Sequence, residues 1–84
     1  MIYVYAILST QSDWIYVGMT NNLERRLHEH NAGLNQSTKA KKPFTLIFSE
    51  QCPDRVSARV LEKYYKSAAG KRKIRKQYDC RGPV

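Results

Sequence analysis

The sequence predicts an α+β domain, in which a small three-stranded antiparallel sheet is flanked by helices in the order ββαβαα. Three observations support this fold class. Two short segments rich in aromatic and branched residues lie near the N-terminus, a third follows a basic loop, and the C-terminal half has the apolar spacing of helices. A chain of 84 residues makes one domain, which we expect to span residues 1–80, with residues 81–84 as a frayed tail.

The three strands are predicted from their apolar patterns. Residues 2–9, IYVYAILS, carry apolar side chains on both faces, which is typical of a central strand. Residues 14–19, WIYVGM, follow the polar turn TQSD and are predicted to pair with the first strand in an antiparallel hairpin. Residues 34–43 form a polar basic loop without periodicity, and residues 44–49, FTLIFS, make the third strand.

The first helix is bounded by asparagine and glycine signals. Asn21 or Asn22 can cap its N-terminus, the helix runs to about His30, and Gly33 lies just past its end. On such a helix one stripe contains the residues Leu23, Arg26, Leu27 and His30. The spacing therefore directs a permanent cation toward the interior, which requires an anionic partner.

Two interpretations of this inward arginine are open. Arg26 can bind an anion that comes from outside, or it can cover apolar surface and reach water, with Glu29 or Glu62 as its counterion. His30 can likewise be a helix-end histidine that is satisfied by the C-terminal dipole.

The later helices are predicted from Pro53, which opens a long helix ending before Gly70, and from residues 71–78, KRKIRKQY, which add a short basic helix. On the long helix Glu62 lies four residues before Lys66, which is the spacing of an exposed ion pair. This pair is the simplest interpretation of Glu62 when the residue is considered alone.

Six tyrosines make phenols the commonest aromatic groups of the chain. Tyr3 and Tyr5 lie on one face of the first strand, and Trp14, Tyr16 and Gly18 share a face of the second. If Tyr5 pairs with Tyr16 or a near neighbour, two phenols lie side by side, with open space above Gly18 for a backbone or a ligand. The alternative is aromatic packing with the hydroxyls at the rim.

The charge of the chain indicates a polyanionic partner. Fifteen Lys and Arg against seven Asp and Glu give a net charge of +8, which attracts phosphate polymers or anionic membranes. The apolar N-terminal segment is too short to span a bilayer and has no basic leader, so we expect a cytoplasmic protein without a membrane partner. Cys52 and Cys80 are expected to be reduced thiols, and their spacing does not predict a zinc site.

Two basic clusters are candidate phosphate-binding surfaces. Seven Lys and Arg and no acidic residue lie between Lys63 and Lys76, and a second cluster lies in the loop before the third strand. Either cluster can instead be an ordinary solvated face. Neither has the interleaved aromatic residues of a single-strand stacking groove, which favours contact with the backbone over base stacking. The residues expected to contact nucleic acid are Gly18, Thr20, Lys39, Lys41, Lys42, Lys63, Lys66, Lys71 and Arg72.

An ordered set of residues resembles a known family. The set consists of Val4 and Tyr5, then Tyr16, Val17 and Gly18, then Thr20, Arg26, His30 and, in the later helix, Glu62. This order and spacing is similar to the GIY-YIG endonuclease superfamily, and in particular to its small standalone bacterial members, which are similar to the N-terminal nuclease domain of the excision-repair subunit UvrC. The resemblance covers nearly the whole chain and implies the GIY-YIG fold.

The resemblance also implies a role for each site residue. Tyr5 and Tyr16 would act on the attacking water and the scissile phosphate, Arg26 would steady the phosphate, and His30 would orient the group. Glu62 would hold a divalent metal, most simply Mg²⁺, with Mn²⁺ as the alternative. Because a free phenol has a pKa of about 10, Tyr5 would need Arg26 or the metal nearby to favour its phenolate.

Two functions follow from these expectations. The first is a metal-dependent endonuclease that hydrolyses phosphodiester bonds, with DNA expected over RNA and branched or damaged DNA as possible substrates. The second is a nucleic-acid-binding module that keeps the fold without efficient catalysis. It is considered because many family members have an asparagine after the metal-binding glutamate, whereas this chain has none beyond Asn35.

The sequence has no heptad or large apolar seam, so we expect a monomer or a weak homodimer.

Overall fold

A computed structural model describes residues 1–80, and the predicted tail at residues 81–84 lies outside the described residues. The elements in chain order are β1 (Ile2–Ser9), β2 (Ile15–Thr20), α1 (Leu23–Asn31), a 3₁₀ turn (Lys39–Lys41), β3 (Phe44–Cys52), α2 (Arg55–Lys66) and α3 (Ala68–Cys80). The α+β fold class and the ββαβαα order are confirmed. Within residues 1–80, none of the helices has the length and apolar character needed to cross a bilayer.

The sheet has the strand order β2-β1-β3, with all pairs antiparallel. β1 is therefore the central strand, as its two apolar faces predict, and Val4 and Ala6 are both 0% exposed. β3 continues to Cys52, which pairs with Ile2, rather than ending at residue 49. Ser49, Glu50 and Gln51 at this end of the edge strand are exposed and polar. The apolar pattern therefore stops before the strand does.

The two faces of the sheet carry separate cores. One core packs Val4, Ala6 and Val17 against Tyr65 of α2 and Ile74 of α3. The other is formed by Tyr5, Ile7 and Phe44, with Leu23 and Leu27 of α1 packed against it. Burying one such aliphatic side chain stabilises the fold by roughly 1.5–3 kcal/mol. Alternation along β1 thus directs Tyr5 toward α1 and its neighbours Val4 and Ala6 toward α2 and α3.

α1 is fixed at both ends by hydrogen bonds of asparagine side chains. The Asn22 Oδ1 accepts a hydrogen bond from the Arg25 N–H at 3.0 Å, so Asn22 is the N-cap. The chain leaves the helix through Gly33, whose φ is +79°. Asn31, the last helical residue, accepts a hydrogen bond from the Phe44 N–H at 2.6 Å and so ties α1 to the start of β3. These contacts hold the inward stripe of α1 over the Tyr5 face of the sheet.

α2 begins after a capping residue rather than at the proline. The Asp54 carboxylate accepts a hydrogen bond from the Ser57 N–H at 2.8 Å, and the helix starts at Arg55. Pro53 precedes the cap, so the expected opening at Pro53 is two residues too early. An aspartate satisfies a free N–H of the first turn, which proline cannot do.

The predicted helix does end before Gly70, but the last helix starts earlier than the predicted residues 71–78. α2 ends at Lys66 and α3 begins at Ala68, because Ser67 breaks the helix and its Oγ accepts a hydrogen bond from the Gly70 N–H at 3.1 Å. Gly70 lies inside α3, where a Cβ would be 2.2 Å from the Tyr64 carbonyl oxygen. The glycine therefore permits close packing of the two helices and does not end either of them.

Candidate active site

Tyr5 and Gly18 form the base of the candidate site. They are direct partners in the β1–β2 ladder, and a Cβ at Gly18 would lie 2.7 Å from the Tyr5 Oη and 3.1 Å from the Tyr16 Cε2. The expectation of open space above Gly18 is wrong, because the two tyrosine rings fill that space. Tyr16 pairs with Ile7, so the phenols are diagonal neighbours with ring centroids 6.4 Å apart. Glycine is needed here because any larger residue would displace Tyr5.

A chain of hydrogen bonds runs inward from the phenol of Tyr5. The Tyr5 Oη lies 2.8 Å from the His30 Nε2, and the His30 Nδ1 lies 2.8 Å from the Thr38 Oγ1. The Arg26 Nε–H donates to the Tyr5 Oη at 3.4 Å. With Arg26 as the donor to Tyr5, the network is satisfied when the phenol donates to Nε2 and the imidazole donates its Nδ1–H to Thr38.

The hydrogen-bonded residues Tyr5, His30 and Thr38 lie in the interior of the protein. Tyr5 is 2% exposed, and His30 and Thr38 are both 0% exposed. The ring of His30 also packs against Tyr16, with centroids 5.1 Å apart. His30 is therefore not a helix-end histidine satisfied by the dipole of α1, since both its ring nitrogens have buried partners. Polar groups at this depth require such partners, because an unpaired group costs about 1–3 kcal/mol.

Arg26 connects the buried phenol to the surface. Its side chain is 29% exposed, and its Nη1–H donates to the Glu29 Oε1 at 2.9 Å. Of the two expected counterions, Glu29 and not Glu62 pairs with Arg26. The adjacent Arg25 is 57% exposed and lies 3.6 Å from the same glutamate. Of these two arginines, Arg26 is the one that is hydrogen-bonded to Tyr5.

The protonation states of Tyr5 and His30 are set mainly by burial. Burial raises the pKa of Tyr5 to about 12, the hydrogen bond from Arg26 acts in the opposite direction, and the charges of Tyr16 and Glu62 add to the increase. Burial, followed by the Arg26 charge, lowers the pKa of His30 to about 4. Both groups are therefore neutral at pH 7. Arg26 does favour the phenolate, but desolvation is the larger effect, so the phenol keeps its proton.

Glu62 is a buried carboxylate on α2, which packs against β1 and β2. It is 9% exposed, while its two ion-pair partners, Lys66 at 3.5 Å and Arg59 at 4.0 Å, are 53% and 73% exposed. The predicted pair with Lys66 is present, but the carboxylate does not lie on the surface as a simple exposed pair would. Its charge contributes to the raised pKa of Tyr5, so it is within electrostatic reach of the phenol.

The single carboxylate of Glu62 suits a hard divalent cation that keeps much of its bound water. Within residues 1–80, no three His, Cys, Asp or Glu side chains gather as a ready-made metal cage. Mg²⁺ is commonly held by one or two carboxylates together with substrate phosphates and water. Glu62 alone therefore fits Mg²⁺ or Mn²⁺ bound with a phosphate substrate. Cys52 is a buried free thiol, and the side chain of Cys80 is outside what the structure describes.

The other expected nucleic-acid contacts divide into two groups. Gly18 and Thr20 are buried, and Thr20 accepts a hydrogen bond from the Asn22 N–H at 3.1 Å, so both shape the β2–α1 corner and offer little surface to a ligand. Lysine and arginine side chains are exposed or half-buried on three segments. They are Lys39, Lys41 and Lys42 in the loop, Lys63 and Lys66 on α2, and Lys71 and Arg72 on α3.

Thr38 is the site residue that the sequence did not indicate. It lies in the polar loop before β3, where no periodicity distinguishes a buried position from an exposed one. Its hydroxyl partners His30, and the 3₁₀ turn that carries Lys39 and Lys41 begins at the next residue. The basic loop is therefore tied to the hydrogen-bond chain of the site.

Comparison with known proteins decides the family. Residues 1–77 match the family model of the GIY-YIG catalytic domain. The chain belongs to the GIY-YIG family. The predicted family membership and fold are confirmed, and the GIY-YIG domain accounts for nearly all the residues that the structure describes. Members of this family generally use a divalent metal, which agrees with the isolated buried carboxylate of Glu62.

This GIY-YIG domain is similar to proteins of the UPF0213 group. A UPF0213 protein of Photorhabdus laumondii is 35% identical over 74 residues, covering 87% of this chain and 71% of that protein. A UPF0213 protein of Bacillus subtilis is 33% identical over 72 residues, covering 84% of this chain and 72% of that protein. The solution NMR structure of the UPF0213 protein from Bacillus halodurans superposes with a TM-score of 0.55 at 26% identity, covering 92% and 85% of the two chains.

Proposed function

We propose that this domain is a metal-dependent endonuclease that hydrolyses phosphodiester bonds in DNA, including branched or damaged DNA in repair or recombination. The observation that carries the proposal is the buried chain from Tyr5 through His30 to Thr38, with Arg26 on the same phenol oxygen. A domain of 84 residues has little stability to spare for a buried phenol and imidazole beside a half-buried guanidinium. Catalysis gives this arrangement a reason.

Arg26 binds the scissile phosphate. It is a permanent cation, it is the solvent-facing member of the chain, and its Nε already points at the phenol that would handle the water proton. Negative charge builds up on the phosphate oxygens in the transition state, and a fixed guanidinium stabilises that charge without having to reorganise. Tyr16, which is half-buried and packs on Tyr5 and His30, lies beside the same phosphate and orients it.

Tyr5 transfers the proton of the attacking water. With a pKa of about 12 it holds its own proton at neutral pH, so it acts by accepting a proton from water while giving its hydroxyl proton to the His30 Nε2. An anionic phosphate bound at Arg26 offsets the positive charge that helps to lower the pKa of His30. Substrate binding therefore makes His30 a better proton acceptor.

Glu62 would hold the divalent metal. A bound Mg²⁺ or Mn²⁺ supplies positive charge to the phosphate oxygens and to the leaving oxygen. The carboxylate is buried and its charge contributes to the raised pKa of Tyr5, which supports its assignment to the same site. Lys66 and Arg59, its exposed partners, are free to turn toward the flanking phosphates of the substrate.

A binding module without catalysis is the second candidate, and Glu62 also supplies the observation that favours it. Two cations already neutralise this carboxylate, and no asparagine follows it in the chain. In such a module Arg26 and the basic segments would grip nucleic acid, while the chemistry would be slow or absent.

A cleavage experiment separates the two functions. Supercoiled plasmid and a branched duplex are incubated with the wild-type chain in Mg²⁺, in Mn²⁺ and in EDTA, and the same assay is run with Glu62→Gln. The matched control is Glu24→Gln, which changes an exposed carboxylate of α1. An endonuclease nicks only with metal and loses activity in Glu62→Gln alone. Salt-sensitive binding without nicking under any of these conditions would show the binding module instead.

A further inference from the structure

A groove outside the phenol pocket joins two parts of the chain that are distant in sequence. It lies between the β1–β2 turn and α3, and its volume is about 290 Å³. Its lining residues are Asp13, Trp14, Ile15, Lys71, Arg72 and Arg75. This size is near the lower limit of small-molecule sites, which suits one nucleotide and not a duplex.

The charged side chains of the groove that have no ion-pair partner among residues 1–80 are positive. Arg75 is hydrogen-bonded to the Asp13 carboxylate and lies 3.8 Å from the Asp79 Oδ2, so its charge is compensated within the protein. Among residues 1–80, neither Lys71 nor Arg72 has a carboxylate oxygen within the 4.0 Å of an ion pair. Two uncompensated cations on adjacent residues attract a phosphate.

Trp14 is the aromatic residue among those that line this basic groove. It is the single tryptophan of the chain, it is half-buried, and its ring packs against Phe44 at 6.1 Å and Tyr16 at 6.2 Å between centroids. Tyr16 in turn lies 5.1 Å from the ring of His30. A continuous run of aromatic rings therefore connects the groove with the candidate active site.

We infer that this groove holds an unpaired nucleotide of the strand that occupies the active site, with the base against Trp14 and its phosphate at Lys71 and Arg72. Aromatic side chains combined with cations are how proteins hold single strands, since every base has a face that can stack. The inference rests on the proposed function in one respect only: it assumes that the strand bound in the groove is the strand that is cleaved. The aromatic residue of this groove comes from outside the basic cluster in sequence, because folding brings Trp14 to the groove that Lys71 and Arg72 line.

The single tryptophan allows direct measurement. Its fluorescence is titrated with a twelve-nucleotide oligothymidine, with a blunt duplex of the same length and with inorganic polyphosphate, all in EDTA so that binding is measured without cleavage. We expect quenching by the single strand at concentrations about tenfold lower than for the duplex, and none by polyphosphate. Equal quenching by the duplex or by polyphosphate would overturn the inference, since neither presents an unpaired base.

Two variants test the residues. Arg72→Ala removes a groove cation, and its matched control is Lys73→Ala, which removes an exposed cation of the same helix outside the groove. We expect Arg72→Ala to weaken oligothymidine binding about fivefold and to reduce its salt dependence by about one phosphate contact, with little change in the control. Equal losses in both variants would show only a general attraction to positive charge.

Trp14→Leu tests the stacking, with the affinity measured by anisotropy of a labelled oligothymidine and with Trp14→Phe as the variant that keeps an aromatic face. We expect about a tenfold loss for leucine and partial recovery for phenylalanine. Equal affinities of the two variants would contradict the role of Trp14. These binding results stand whether or not the wild type cuts DNA, so failure of the groove and failure of the nuclease proposal are separate outcomes.

Discussion

The Tyr5 hydroxyl and the His30 imidazole form a buried pair, with Oη and Nε2 2.8 Å apart and with residue exposures of 2% and 0%. The two residues are 25 positions apart, on β1 and α1. The pair has one outward contact to Arg26 and one inward contact to Thr38. This arrangement gives a proton a defined path between the Tyr5 hydroxyl and the His30 imidazole, beside a solvent-facing cation. The following predictions test it.

Replacement of Tyr5 by phenylalanine should remove most of the proposed activity. The variant keeps the ring that fills the space above Gly18 and loses only the hydroxyl that accepts the water proton. General-base contributions are typically 10²- to 10⁴-fold, so we expect a fall of about that size in the cleavage rate. Single-turnover cleavage measures the rate, and Tyr3→Phe on the same strand is the control. An unchanged rate in Tyr5→Phe would assign the proton transfer to another group.

Thr38 should fix the tautomer of His30. Thr38→Val leaves the Nδ1–H without an acceptor in the interior, which destabilises the fold by about 1–3 kcal/mol and favours movement of the proton to Nε2. The ¹⁵N shifts of the imidazole report which nitrogen carries the proton, and denaturant unfolding reports the stability.

Thr38→Ser keeps a hydroxyl at the same place and is the matched variant. We expect it to restore the Nδ1–H tautomer and most of the cleavage rate. If Thr38→Val shows the same ¹⁵N shifts as the wild type, then Thr38 supports the loop and has no influence on His30.

Stability should fall in acid because of His30. Its pKa is about 4 in the folded chain and 6.5 in the unfolded one, so the unfolded state takes up a proton first as the pH drops. The His30 contribution is complete above pH 6.5 and is lost toward pH 4. We expect a decrease of about 2–3 kcal/mol in the free energy of unfolding between pH 7.5 and 4.5 from this residue.

Urea unfolding at several pH values measures this effect. His28 lies two residues earlier on the same helix and is exposed, so His28→Gln should keep the pH dependence of the wild type. His30→Gln should reduce it. NMR titration of the wild-type imidazoles gives an independent check, and a His30 that titrates near pH 6.5 would show that the ring is not held neutral by burial.

The local parts of this fold could be predicted from the sequence. The stripe of α1, its Asn22 cap and the central place of β1 depend on neighbours within a few residues, so pattern and capping rules are sufficient. The end of β3 and the break at Ser67 could not be predicted in the same way. A polar edge strand has no apolar signal, and Gly70 is explained only by the helix that crosses it.

The candidate site shows the same division. The inward direction of Arg26 and His30 follows from helical spacing, whereas the pKa values of Tyr5 and His30 depend on burial that only the assembled sheet and helices produce. Thr38 and Trp14 were not recognised as site residues for a related reason. Thr38 lies in a loop without periodicity, and the lysine and arginine beside Trp14 are more than fifty residues away in the sequence, so only tertiary contacts bring these partners together.

The most direct test of the proposed nuclease compares two adjacent arginines. Arg26→Ala removes the cation on the Tyr5 hydroxyl, and Arg25→Ala removes a neighbouring cation that is 57% exposed and shares the partner Glu29. Nicking of supercoiled plasmid is measured in Mg²⁺ beside the affinity for DNA. We predict a loss of about 10²- to 10³-fold in rate for Arg26→Ala and less than about threefold for Arg25→Ala. Equal rates in the two variants would contradict the account, because Arg26 would then serve only as general positive charge.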